Sequence, residues 1–187
     1  MEKRGAKVVS IDQGDPSTSE FVPFVNDPLS RAEVIANQVV GLESLKNSYW
    51  YIHRALGSKA RAYYGNVYEL PDELGTFDVV MVGMILPHLR DPMRALESVA
   101  RRSKDAVIIT QQALAEDRPI MQLMAHPDTD NIEHMRFAWW LMSDGLLVNF
   151  MKIMGFSLER KHSADYLCPA YTPTTTDECT TFVFTRE

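Results

Sequence analysis

AYYGNVYELPDELGTFDVVMVGMILPHLRDP, residues 62–92, is the stretch whose reading decides the fold. Within it Phe77-Asp78-Val79-Val80-Met81-Val82 is short, apolar and rich in β-branched residues, with Gly75 before it and Pro87 after it. Such a run predicts a strand buried on both faces, as in parallel sheets. Asp91-Pro92 then opens an apolar pattern at Met93, Leu96, Val99 and Ala100. Asp91 can accept from the first free backbone N–H groups and Pro92 has the fixed φ of a first helical residue, so a helix begins there. A second apolar run, Ala106 to Thr110, follows it directly. Strand, helix, strand with a right-handed connection is the expected unit.

Working outward, AKVVSID at 6–12 and KARAYY at 59–64 predict two further strands. Ser30-Arg31-Ala32-Glu33 has the spacing of a capping box, so a helix starts at Arg31. Its apolar period runs through Val34, Ile35, Val39, Leu42, Leu45, Tyr49, Ile52 and Leu56, with Gly41 as a possible break. Tyr49, Trp50 and His53 on that helix could line a pocket or pack as core. Residues 15–29, with three prolines, read as irregular. Ser143 caps a helix whose apolar face is Leu146, Leu147, Phe150, Met151 and Met154, closed by Gly155. Residues 156–166 and 180–185 predict a terminal antiparallel hairpin joined by a Pro/Thr-rich loop.

Residues 65–110 resemble the middle of a class I S-adenosylmethionine-dependent methyltransferase. The match is Phe77-Asp78-Val79-Val80 followed by Ile85-Leu86-Pro87-His88-Leu89-Arg90-Asp91-Pro92, and coarser similarity covers nearly the whole chain. The resemblance implies one methyltransferase-like domain over 1–187. Its sheet is Rossmann-like α/β, mostly parallel with a C-terminal antiparallel hairpin and helices on both faces. The cofactor it implies is S-adenosylmethionine. By resemblance Asp12, at the end of an early strand, meets the ribose hydroxyls; its other reading is the first residue of the polar turn Asp12–Pro16. Asn66 and Val67 fall where the family meets adenine, and Asn66 could instead support the turn after Gly65. Gly83 falls where backbone faces the methionine end. His88 lies near the acceptor as the catalytic candidate, or simply closes a turn. The family's first strand and glycine-rich turn have no counterpart: no two of the nine glycines stand one residue apart. The sheet is therefore expected to close up, stay gapped, or borrow a strand.

Residues 111–144 lose regular pattern and read as the acceptor-pocket insertion that such enzymes carry after the fifth strand. Gln111, His134 and Trp139 are its substrate-binding candidates, among apolar Met121, Met124, Met135 and Trp140. Equally, the Met and Trp residues could pack as lid against core. No metal is expected: His126 and His134 lack i,i+4 spacing, and Cys168 and Cys179 have no ligand pattern.

The 187 residues suffice for one domain with a core. A net charge of −6 argues against a nucleic-acid surface. Arg101, Arg102 and Lys104 form one local basic cluster, read as a solvated helix end. No apolar run reaches the ~20 residues of a membrane span, and no secretory leader stands at the N-terminus. A reduced, cytoplasmic protein is expected. Three functions remain in view: methyl transfer to a small molecule, an inactive scaffold that forms a homodimer or binds a partner, and methylation of transfer-RNA uridine.

Overall fold

Two parallel strands, β1 (Val9–Asp12) and β2 (Arg61–Tyr64), pair in register from Val9–Arg61 to Asp12–Tyr64 and form a two-stranded sheet of their own. The computed structural model describes residues 1–168 and 175–187. These residues divide into two compact units, 1–19 with 25–70 and 20–24 with 71–187. Among the described residues no strand precedes β1.

In the first unit, β1 and β2 are joined by α1 (Arg31–Ala55). The capping box forms as read: Ser30 Oγ accepts from the Glu33 N–H, and the Glu33 carboxylate accepts from the Ser30 N–H at 2.8 Å. Gly41 does not interrupt the helix. Tyr49, Trp50 and His53 stack edge to face at 5.0–5.1 Å, and His53 Nε2 donates to the Ala60 carbonyl at 2.9 Å. Tyr49 and His53 tie α1 to its neighbours through Ser10 and Ala60, whereas Trp50 is 36% exposed, so the trio does not pack as core. Val34 alone on α1 is fully buried, while Val40, Leu45, Tyr51, Ile52 and Leu56 lie exposed.

The second unit has a four-stranded sheet in the order β3 (Phe77–Gly83), β4 (Ser103–Gln111), β9 (Thr175–Arg186), β8 (Phe156–Cys168). β3 and β4 are parallel and β9 and β8 antiparallel. Of the loop expected between 166 and 180, residues 167–168 and 175–179 extend β8 and β9, and 169–174 lie outside the described residues. α2 (Pro92–Ala100) links β3 to β4, with Asp91 accepting from the Arg94 N–H as its cap. Its buried residues Pro92, Ala95, Leu96, Val99 and Ala100 share one helical face. α4 (Asp144–Ile153), capped by Ser143, buries Leu147 and Met151. Val107, Ile109, Phe182 and Phe184 complete a core without solvent exposure, and the two phenylalanine rings stack at 6.0 Å.

Two expectations change. Val79 and Met81 on β3 are 46% and 56% exposed, whereas Val82 is 3% exposed, so the strand is buried on one face rather than two. An apolar run in sequence does not say which faces are covered. Residues 113–143, expected without regular pattern, contain a small sheet: β5 (Ala113–Leu114), β6 (Met121–Leu123) and β7 (Trp140–Ser143), plus the short helix α3 (Ile132–Met135). Strands of two to four residues are too short to leave a periodicity.

Candidate functional site

In each unit, some of the sequence-predicted residues stand at or just past the carboxyl ends of parallel strands, where open α/β sheets bind ligands. Asp12 ends β1, Asn66 lies two residues past β2, Gly83 ends β3 and Gln111 ends β4.

In the first unit, the Gly65 N–H donates to the Asp12 carbonyl at 2.9 Å, holding the two strand ends together. Asp12 is exposed; Oδ1 accepts from the Gln13 N–H at 2.7 Å, and Oδ2 has no hydrogen bond among the described residues. One carboxylate oxygen therefore serves the turn and the other is available to a hydroxyl. The polar turn is ordered by Gln13, whose Nε2 donates to Ser19 Oγ at 2.9 Å and the Asp15 carbonyl at 3.1 Å. Asp15 accepts from the Ser17 hydroxyl and N–H, and these bonds hold its carboxyl below the usual range. Asn66 Oδ1 accepts from the Tyr68 N–H at 2.9 Å, the turn-supporting role, and places half-buried Val67 inside that turn.

In the second unit, a Cβ built on Gly83 meets nothing within 4 Å, so open space faces the end of β3. Met84 follows with φ 52°, the one non-glycine residue of positive φ among the described residues. Left-handed backbone costs a side-chain-bearing residue about 1–2 kcal/mol, and such strain gathers at functional sites. Nothing in the sequence marks it, since methionine has no bias toward this conformation. We expect Met84→Gly to be more stable than Met84→Ala by about 1 kcal/mol, inverting the ordinary order in a strand. Chemical denaturation of the two variants checks this, and the ordinary order would refute it.

His88 closes a 3-10 turn, Leu86–His88. It is exposed, and its Nδ1 lies 2.9 Å from the Phe137 carbonyl oxygen. A carbonyl only accepts, so Nδ1 carries a proton and donates, which leaves Nε2 free of that bond. The Trp139 N–H donates to the Pro87 carbonyl at 2.8 Å, so 137–139 docks on the His88 turn. Trp139 is 9% exposed; its indole N–H donates to the Glu20 carbonyl at 2.8 Å and Arg90 lies over its ring. What it can offer a substrate is ring surface. His134 is exposed on α3. Gln111 is 1% exposed.

Among the described residues, no three His, Cys, Asp or Glu side chains are placed to hold a metal ion, and no helix is long and apolar enough to cross a membrane. All three members of the basic cluster face carboxylates: Arg101 pairs with Glu97, Arg102 with Asp72 at 2.8 Å and Lys104 with Asp78 at 3.3 Å.

This architecture is the class I S-adenosylmethionine-dependent methyltransferase fold. The chain is similar to magnesium protoporphyrin IX methyltransferase from Synechocystis, solved with bound S-adenosylhomocysteine: 11% identity, TM-score 0.52, covering 97% of this chain and 75% of that one. It is similar to the N-terminal domain of EvdMO1 with S-adenosylhomocysteine bound: 14% identity, TM-score 0.52, covering 98% and 75%. A third is an O-methyltransferase family protein from Burkholderia thailandensis: 14% identity, TM-score 0.54, covering 98% and 52%. No family model and no curated protein matches the chain.

Proposed function

We propose that the protein transfers a methyl group from S-adenosylmethionine to a small-molecule acceptor. The observation that carries this reading is the placement of Asp12, Asn66, Gly83 and Gln111 at strand carboxyl ends in a fold whose similar structures hold S-adenosylhomocysteine. The cofactor supplies a sulfonium-bound methyl that is already electrophilic, so the protein's work is mostly positioning. Asp12 Oδ2 accepts from a ribose hydroxyl. Asn66 and Val67 border the base, with Asn66 Nδ2 as donor because Oδ1 serves the Tyr68 N–H. Gly83 admits the methionine end. His88 Nε2 faces solvent as the group that orients the acceptor or takes its proton. Gln111, His134 and the ring of Trp139 serve the acceptor.

Calorimetric titration with S-adenosylhomocysteine tests this. Micromolar binding that falls at least about 10-fold in Asp12→Ala is expected; no binding at millimolar ligand by a cooperatively folded chain would overturn it.

The second reading, a scaffold without catalysis, is favoured by the apolar residues exposed on α1 and by β3 having β4 as its one strand partner among the described residues. Both features suit a homodimer. Light scattering at micromolar concentration should give twice the 21.3 kDa chain mass; a monodisperse monomer would sink the dimer.

A further inference from the structure

Gln111 is buried, and neither Nε2 nor Oε1 has a hydrogen-bond partner among the described residues. Its strand register shows why. Ser163, Thr180 and Gln111 form one row across β8, β9 and β4. The Thr180 hydroxyl is engaged by Ser163 at 2.9 Å, and the next row on the same face is Lys161, Phe182 and Ile109, where Lys161 already pairs with Asp144. A buried carboxamide in this state is costly, and folded proteins rarely leave one so. At the end of a parallel strand it has the form of a recognition group waiting for its complement.

Met84, the residue just past β3, donates its N–H to the Thr110 carbonyl at 2.8 Å. β4 lies between β3 and β9, yet Met84 Sδ comes within 3.7 Å of Cys179 Sγ on β9. Cys179 alternates with Thr180 on β9, so this sulfur contact lies on the sheet face opposite the Gln111 side chain.

We propose that Gln111 reads the acceptor through a planar amide-type edge, an N–H beside a C=O as in a lactam or pyridone. A carboxamide offers one donor edge beside one acceptor edge, and its complement is the same pair reversed. An anionic acceptor is disfavoured because the nearby cation, Lys161, is taken by Asp144. Sites of this kind reject analogues that lack the matching donor. The inference rests on the methyl-transfer reading and fixes its substrate class.

The test follows the Gln111 side-chain amide by nitrogen-15 NMR in the full chain, with and without S-adenosylhomocysteine. The probes are 2-pyridone and N-methyl-2-pyridone, which lacks the N–H. We expect 2-pyridone to shift the Gln111 resonances and to bind at least about 10-fold more tightly than the N-methyl probe. Gln111→Met should abolish that preference and raise the melting temperature by a few degrees. Equal response to both probes, no response at millimolar concentration, or a lower melting temperature in Gln111→Met would each overturn the assignment. Failure with S-adenosylhomocysteine bound condemns this inference alone; failure of S-adenosylhomocysteine to bind condemns the methyl-transfer reading.

Discussion

Gly145→Ala is expected to destabilise the protein by about 3 kcal/mol or more, the largest effect of a methyl group added at any of its glycines. Gly145 is the second residue of α4 and is buried. A Cβ built there falls 1.8 Å from the Asp117 carbonyl oxygen and 2.4 Å from its carbon. Neither side of the contact can yield cheaply, because both are backbone. The Gly145 N–H donates to the Glu116 carbonyl at 3.0 Å. Ser143 Oγ donates to the Arg118 carbonyl at 2.6 Å and accepts from the Ile120 N–H at 2.9 Å. Moving 116–118 to admit a methyl breaks these bonds and loosens the α4 cap together with β7. Gly41→Ala is the control: it is interior to α1 with nothing within 4 Å, so the methyl should stabilise by about 0.5–1 kcal/mol. Urea denaturation of both variants gives the comparison, and equal effects would show that the contact to Asp117 does not form.

The elements legible in the sequence were those with local chemistry at their ends. Ser30 with Glu33, Asp91 with Pro92, and Ser143 mark helix starts because capping acts within three residues, and all three caps form. Strand ends carrying Asp12 and Gly83 were legible for a similar reason, as polar or glycine residues closing apolar runs. Features that depend on distant partners were not. The contact of Gly145 with Asp117 joins elements 28 positions apart, and in sequence Gly145 is only a poor helix former. The Lys161–Asp144 pair and the Met84–Cys179 sulfur contact likewise join separate elements. Burial pushes the Cys179 thiol upward, with the Asp177 charge adding to it, so its environment is the reverse of a reactive cysteine's. Gln111 was legible as a polar residue at a strand end but not as one without a protein partner, because that depends on what Ser163 and Thr180 do for each other.

Gly83→Val is expected to lower S-adenosylhomocysteine affinity by at least about 100-fold, roughly 2.8 kcal/mol, while shifting stability by no more than about 0.5 kcal/mol. The two halves of this expectation have separate causes. Stability is spared because Gly83 ends a strand with no positive φ, where a β-branched residue fits, and because the added Cβ meets no atom within 4 Å. Affinity suffers because that same open space is where the methionine end of the cofactor is proposed to lie, and an isopropyl group fills it. A parallel loss of stability would mean that the space at β3 is closed in solution. Unchanged affinity with unchanged stability would move the methionine end away from β3, and Asp12→Ala would then show whether the ribose end remains at β1. Calorimetry on the two variants, with thermal melts alongside, separates these outcomes because each variant perturbs the carboxyl end of a different strand.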